Sequence, residues 1–227
     1  DQSRNDRRGV DGSALAFNTR KSIEHSQGGG TYERRFGEDS LQVSAYIGRR
    51  QVTQYQSIPI ASQRFIASTA ATSPLRRHSG GVIDFDRAFA GVGARWTLRR
   101  DLGGGTLTTT LGIDHETSSD DRQGYENYVA TSSALTLTCG VGGTVCGVKG
   151  ALRRSETDKV TSSAPYLQTE WQGAQWGLSA GLRHSNIRFS VDDRYIAPGN
   201  GNDSGGISYR RTTPVVAATY RLTPGIN

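Results

Sequence analysis

Long apolar runs are missing from this sequence of 227 residues, of which hydrophobic residues make up only 34%. A membrane-spanning helix needs about 20 consecutive apolar residues, so the sequence excludes a helical membrane protein. A membrane-spanning strand needs far fewer, because only alternate residues of a strand of about 10 residues face lipid. The composition is therefore compatible with a chain that crosses a membrane on β-strands.

Methionine is also absent, and the N-terminus has no apolar leader segment. We therefore expect a processed product or a fragment of a longer protein. Length alone does not separate one large all-β domain from two small ones, so the organisation has to be read from the residue pattern.

Residues that usually build metal or catalytic centres are scarce. The four histidines are scattered along the chain, and the two cysteines have no further Cys or His beside them to complete a zinc site. No Gly-x-Ser-x-Gly or other nucleophile motif is present. The sequence predicts neither an enzyme nor a metal site, and we expect no cofactor.

The two cysteines, Cys139 and Cys146, lie in one glycine-rich stretch. The six residues between them include three glycines, so the stretch can close a small disulfide loop. A disulfide suits an oxidising compartment. We expect this bond, with two free thiols as the alternative.

The formal net charge of +6 raises the question of nucleic-acid binding. The 27 lysines and arginines are spread along the whole chain, whereas a DNA-binding face needs a clustered basic stripe. A barrel explains them better, since arginines can line the lumen or lie at the level of anionic lipid phosphates. We therefore expect no nucleic-acid partner.

Apolar and polar residues alternate at period two in six segments, most clearly where Trp176, Leu178 and Leu182 alternate with small or polar residues. The connections between segments are alternately short and long. Outer-membrane barrels have short periplasmic turns and long outer loops, whereas soluble sandwiches have no such asymmetry. The pattern predicts an all-β fold whose antiparallel strands form part of a transmembrane barrel.

The alternation predicts about seven strands, and the first of them is weakened by three consecutive glycines. The longest loop is expected at about Ser118 to Lys159 and contains both cysteines. The strands are expected at about residues 20–36, 41–52, 82–98, 107–116, 161–171, 176–191 and 207–222.

Large aromatic residues fall within a few residues of the predicted short turns. A barrel places such residues in a girdle at the membrane interface, whereas a soluble sandwich more often buries tryptophan in mid-strand. The distribution therefore favours a barrel and predicts one aromatic rim. Its members are Phe36, Trp96, Trp171, Trp176 and Tyr220.

Several stretches resemble the barrel of TonB-dependent outer-membrane receptors. Pro214–Pro224 ends in Tyr-Arg-Leu-Thr-Pro, and Ala164–Trp171 is similar to a recurrent Pro-Tyr-x-Gln-x-Glu-Trp strand of that family. Arg122–Asn127 is similar to a loop of some members. The segment Asp192–Gly205 is similar to receptors that resemble the pyrroloquinoline quinone importer.

The resemblance implies active import of a scarce nutrient, most simply a ferric siderophore or a similar chelate or cofactor. It implies a bacterial outer-membrane location, contact with outer-membrane lipid and lipopolysaccharide, and dependence on the TonB complex through a plug domain. The chain contains no TonB box or plug, so residues 1–227 are expected to be a partial barrel. A passive porin, or an adhesin or autotransporter fragment, is the alternative.

Ligand contacts are expected in the long outer loops, where basic and aromatic side chains can bind an anionic or aromatic chelate. The alternative is that these residues pack the loops or face lipopolysaccharide. The sequence does not identify the ligand. The candidates are Arg122, Tyr125 and Tyr128 in the first long loop and Arg194 and Tyr195 in the next.

Overall fold

The computed structural model describes residues 13–63, 79–132, 136–198 and 200–222. None of the helices in this part of the chain is long and apolar enough to cross a membrane. The elements are α1 (Ser13–Ala16), β1 (Arg20–Phe36), β2 (Asp39–Tyr55), α2 (Ile60–Gln63), β3 (Val82–Leu102), β4 (Gly105–Tyr125), β5 (Tyr128–Ala130), β6 (Thr144–Cys146), β7 (Leu152–Gln172), β8 (Trp176–Asp193) and β9 (Gly205–Tyr220).

Seven long strands form one antiparallel sheet in the order β1-β2-β3-β4-β7-β8-β9. Each strand pairs with its neighbour in sequence, except that the small hairpin β5–β6 stands apart between β4 and β7. The predicted all-β antiparallel fold and the number of strands are confirmed.

The connections differ in length at the two ends of the sheet. At one end, the turn end, residues 37–38, 103–104 and 173–175 join the strands. Gly37, Gly103 and Gly104 have φ values of 64°, 60° and 75°, a conformation that two-residue hairpins demand and glycine adopts without strain. At the other end, the mouth end, the connections span residues 56–81, 126–151 and 194–204.

The strand register separates an apolar face from a polar face. On β8 and β9 the pairs Leu178–Ala218 and Ala180–Val216 lie on the apolar face. The intervening pair Ser179–Ala217 lies on the polar face, as does Gly177–Thr219. Residues opposite each other in a ladder share a face, so the two-residue period continues across the sheet.

Aromatic residues lie on the apolar face near the turn end, as the sequence predicted. The rings of Trp176 and Tyr220 are 4.7 Å apart between centroids. The indole N–H of Trp171 donates a hydrogen bond of 2.8 Å to the Leu102 carbonyl and so fastens β7 to the β3–β4 turn.

Two strands, β4 and β7, extend far into the longest loop that the sequence predicted. β4 continues to Tyr125 and β7 begins at Leu152, so the predicted loop from about Ser118 to Lys159 was wrong. Its outer parts are paired strands, as the pair Ser119–Lys159 shows. Beyond the apolar band these parts of β4 and β7 carry mostly polar side chains on both faces, and the alternation that marks a strand is lost there.

If the apolar face meets acyl chains, arginine at Val216 should destabilise the complete barrel by about 2–4 kcal/mol when this site is near mid-membrane. The matched control is Val215→Arg, because the two valines are adjacent, lie on opposite faces and are 81% and 60% exposed. Denaturant unfolding in lipid vesicles measures both costs. Equal penalties would indicate a two-sided core and contradict a membrane wall.

Candidate functional site

A cavity of about 570 Å³ opens on the polar face at the mouth end. It lies against β4, β7 and β8 and below the connection 194–204. Residues that line it include Arg122, Arg154, Glu156, Asp158, Phe189 and Tyr195.

Two arginines share one carboxylate in the wall of this cavity. The Glu156 carboxylate lies 2.8 Å from Arg154 Nε and 3.8 Å from Arg122 Nη1. The Glu156 side chain is 10% exposed, whereas the two arginine side chains are 36% and 35% exposed. The Glu156 carboxylate therefore faces two partly exposed guanidinium groups, which keep donors for a ligand. The Asp158 carboxylate lines the same cavity.

Two apolar side chains also line the cavity. Val160 and Phe189 form a cross-strand pair on the polar face of β7 and β8, and both line the cavity. The Phe189 ring also packs edge-on against Tyr209, with centroids 6.1 Å apart. A ligand in this cavity would meet both charged groups and an aromatic surface.

Asp193 organises the loop that covers the cavity. Its carboxylate accepts hydrogen bonds from the backbone N–H groups of Tyr195 at 2.9 Å and Asp203 at 3.1 Å. The Asn200 amide donates to the Tyr195 carbonyl at 2.7 Å. These contacts hold Tyr195 at the rim and occupy the Asp193 carboxylate with backbone donors.

A buried amide pair ties together the chain segments at the mouth end. Asn127 is fully buried, and its Nδ2 donates to the carbonyls of Phe17 at 3.2 Å and Gln56 at 2.8 Å. Its backbone N–H donates to Gln63 Oε1 at 2.7 Å. Asn127 therefore connects the segments before β1, after β2 and after β4.

A small apolar cluster, the mouth core, surrounds this amide pair. It consists of Phe17, Ile60 and Tyr128. The disulfide formed by Cys139 and Cys146 packs against it and closes the β5–β6 hairpin. The mouth core therefore fixes the hairpin to the top of the sheet.

The mouth core supports the cavity through one ion pair. Arg153, which lines the cavity, lies 3.2 Å from the Glu126 carboxylate, and the two side chains are 6% and 13% exposed. Glu126 directly precedes Asn127, so this ion pair connects the cavity wall to the segment that carries the buried amide pair.

The five predicted ligand residues do not all lie together. Arg122 and Tyr195 line the cavity. Arg122 and Tyr125 belong to β4 and Tyr128 to β5, so their predicted placement in a loop was wrong. Tyr128 is 5% exposed in the mouth core. Arg194 forms an ion pair with Asp121, away from the cavity.

Tyr125 is held on the apolar-face side of the sheet by Lys149, whose ammonium lies 4.1 Å from the ring centroid. The same ammonium donates a 2.6 Å hydrogen bond to Asp84. Partial burial lowers the pKa of Lys149, but the hydrogen bond to Asp84 and its negative charge outweigh this and raise the pKa above its usual range.

The sequence analysis missed the cavity residues on β7. Arg154, Glu156, Asp158 and Val160 alternate at period two and so occupy one face of a strand. Apolar and polar residues do not alternate in this stretch, and the three charged residues were therefore interpreted as part of a loop.

Closer to the turn end, the polar face carries aromatic rings that lie over glycines on the neighbouring strand. Tyr46 pairs with Gly91, and Tyr166 pairs with Gly112. A Cβ atom at Gly91 or Gly112 would lie 2.5 Å or 2.3 Å from the nearest ring atom. The rings therefore lie along the sheet. The Tyr46 hydroxyl donates to Glu116 at 3.0 Å.

An antiparallel sheet with one lipid-type face, an aromatic rim at its short turns and a polar face with charged side chains is the wall of a transmembrane β-barrel. The whole chain, residues 1–227, matches the family model described as TonB dependent receptor-like, beta-barrel. The chain belongs to this family, which consists of receptors and transporters of the bacterial outer membrane and not of enzymes.

Three solved structures share the fold at low sequence identity. They are the unliganded ferric citrate transporter FecA (14% identity, TM-score 0.63, 90% of this chain), the siderophore receptor PiuA from Acinetobacter baumannii (13%, 0.65, 91%) and the open form of the ferric-catecholate import receptor Fiu from E. coli K12 (12%, 0.59, 89%). The matched parts cover 26%, 31% and 34% of those chains, so this chain spans about a quarter to a third of their length.

Replacing Asn127 with alanine should loosen the mouth end without affecting the strands below. The substitution leaves the buried carbonyls of Phe17 and Gln56 without their donor, at a cost of about 1–3 kcal/mol each. Hydrogen exchange in residues 13–19, 56–63 and 126–132 should accelerate about tenfold or more. Asn186→Ala on β8 is the control, and equal exchange in both variants would contradict the role of Asn127.

Proposed function

We propose that this chain is part of the barrel wall of a TonB-dependent importer and that its mouth-end cavity binds a negatively charged metal chelate, such as a ferric siderophore, or a similar cofactor. The observation that carries this proposal is the arrangement of Arg122 and Arg154 around the buried side chain of Glu156.

The chemistry of the cavity supports this ligand class. Carboxylate or catecholate oxygens accept charge-assisted hydrogen bonds from guanidinium groups. An aromatic part of the ligand can pack on Phe189 and Tyr195. FecA is a ferric citrate transporter, PiuA a siderophore receptor and Fiu a ferric-catecholate import receptor.

Among the residues predicted from sequence, we propose Arg122 and Tyr195 as direct ligand contacts. Tyr128 fits the alternative in which a candidate residue packs the loops and does not contact ligand, because it belongs to the mouth core. Arg194 and Tyr125 already have charged partners, in Asp121 and Lys149, on the apolar-face side of the sheet.

In this proposal the sheet is one part of a larger barrel that also contains further strands and a plug domain. β1 and β9 are the edge strands of the described sheet, and in a membrane their free backbone groups have to pair with further strands. A plug domain would lie against the polar face, where Arg183 and Asp114 form an ion pair of 3.0 Å. The TonB complex would supply energy through that plug.

The competing function is a passive pore, or an adhesin, built from the same kind of wall. The complete receptor should support ligand uptake in a cell with TonB and lose it in a TonB-deficient strain. Undiminished uptake without TonB would contradict the importer and favour the pore.

Replacing Arg122 with glutamine in the complete receptor should weaken chelate binding. A charge-assisted hydrogen bond in a desolvated site contributes about 1.5–3 kcal/mol, which corresponds to roughly 10- to 100-fold in Kd. The matched control is Arg194→Gln, because Arg194 is paired with Asp121 outside the cavity.

Titration of purified receptor with a panel of ferric chelates measures both variants, and the barrel should assemble normally in each. If Arg122→Gln binds as tightly as the parent, or if Arg194→Gln loses as much affinity, the ligand does not bind in this cavity.

A further inference from the structure

Asp158 is a carboxylate in the cavity wall that forms no ion pair within the described residues. It lies on the polar face of β7, two residues from Glu156, and both side chains line the cavity. One of its two carboxylate oxygens, Oδ1, is buried and has no hydrogen-bond partner. A charged group that is partly removed from water is costly unless a partner of opposite charge or a hydrogen-bond donor compensates it.

The basic side chains around Asp158 are committed to other carboxylates. Asp120 lies directly opposite Asp158 in the register and accepts two hydrogen bonds of 2.6 Å from Arg87. Lys159 borders the cavity, but as the next residue of the strand it is directed to the opposite face of β7. The remaining pairs are Arg122 and Arg154 with Glu156, and Arg153 with Glu126.

The other aspartates that line the cavity are satisfied in different ways. Asp193 accepts hydrogen bonds from two backbone N–H groups. Asp203 lies in the connection 194–204 and is exposed, so water solvates its carboxylate. Asp158, in contrast, is half-buried on a strand between β4 and β8. A ligand is therefore the natural source of a partner for Asp158.

An aromatic ring stands next to this carboxylate. Asp158 pairs with Val191 and Val160 pairs with Phe189, so Phe189 is a diagonal neighbour of Asp158 on the same face. Diagonal neighbours lie about 7–8 Å apart, which is within the reach of an aromatic side chain. A cation between the two is attracted by the carboxylate and by the face of the ring. The surroundings of Asp158 therefore favour a positively charged group.

We propose that Asp158 and Phe189 form a subsite for a protonated amine, so that the imported chelate carries an ammonium group in addition to its anionic metal-binding oxygens. This inference rests on the proposed function of the cavity. Arg122 and Arg154 then bind the anionic part of the ligand and Asp158 its cationic arm. The cavity would thereby reject chelates that lack such an arm, because they leave the Asp158 carboxylate uncompensated.

The register also predicts the spacing of the two charges on the ligand. Asp158 and Glu156 are two residues apart on one face of β7, and a strand rises about 3.4 Å per residue. The ammonium group should therefore lie about 7 Å from the chelate oxygens that contact the two arginines. A short aminoalkyl arm on the chelate spans this distance.

The direct test compares two ferric tris-catecholate chelates that are identical except at one short aminoalkyl arm. In one chelate the arm ends in a free primary ammonium group, and in the other this amine is acetylated and neutral. Titration of the complete receptor should show tighter binding of the ammonium form by roughly 10- to 100-fold in Kd, as expected for a charge-assisted hydrogen bond in a desolvated site. This comparison uses the parent protein and does not depend on the folding of a variant.

Replacing Asp158 with asparagine keeps the shape of the side chain and removes its charge. The variant should lose the preference for the ammonium chelate and bind the acetylated chelate at least as tightly as the parent does. The matched control is Asp192→Asn, because Asp192 lies opposite Thr157 on the other face of the sheet and outside the cavity. This control should keep the preference. Heat-modifiable mobility on gels verifies that both variants are folded.

The possible failures are distinguishable. If the parent binds both chelates equally while Arg122→Gln weakens both, the inference about Asp158 is wrong and the proposed function of the cavity stands. A preference that persists in Asp158→Asn, or that is lost equally in Asp192→Asn, would also overturn the inference. If neither chelate binds, or if Arg122→Gln leaves both affinities unchanged, the cavity does not bind the chelate and both proposals fail.

Discussion

The satisfaction of backbone hydrogen bonds within a membrane is the constraint on which this structure depends. Lipid offers no partner for a free N–H or C=O group, so the ladder has to run unbroken from β1 to β9. Strands of 16 to 21 residues exceed the roughly 10 residues needed to cross the bilayer. The excess extends the paired wall beyond the hydrocarbon at the mouth end, and the ladder thereby becomes the support for the cavity. The register of that ladder, rather than any local motif, decides which side chains meet.

This dependence explains where the sequence was informative. Within the bilayer, lipid requires apolar residues on one face of each strand, so the alternation around Leu178 and Leu182 predicts both the strand and its orientation. Above the bilayer neither face has to be apolar. There, ion pairs bridge neighbouring strands, such as Arg87–Asp120 between β3 and β4 and Arg122–Glu156 between β4 and β7, and the partners in each pair are more than thirty residues apart. A single sequence does not show such pairings, and the charged strand ends therefore resemble a loop.

The same reasoning applies to the candidate site. Arg122 and Tyr195 were chosen for their chemistry, and the register of β4, β7 and β8 brings them to one cavity. Tyr128 was chosen for the same reason but belongs to the mouth core, because the sequence does not show that three separate segments converge on Asn127. Residue type predicted a place in the cavity only where the strand pairing brings the side chain there.

The disulfide between Cys139 and Cys146 would keep the mouth end connected after proteolytic cleavage. The tip of the β5–β6 hairpin, residues 140–143, is exposed at the surface and is a natural target for secreted proteases. A cut anywhere between the two cysteines leaves both new ends covalently joined through the sulfur bridge. The flanking strands and the packed cluster beneath them would keep their connection, so a cleaved receptor would still hold its outer surface in one piece.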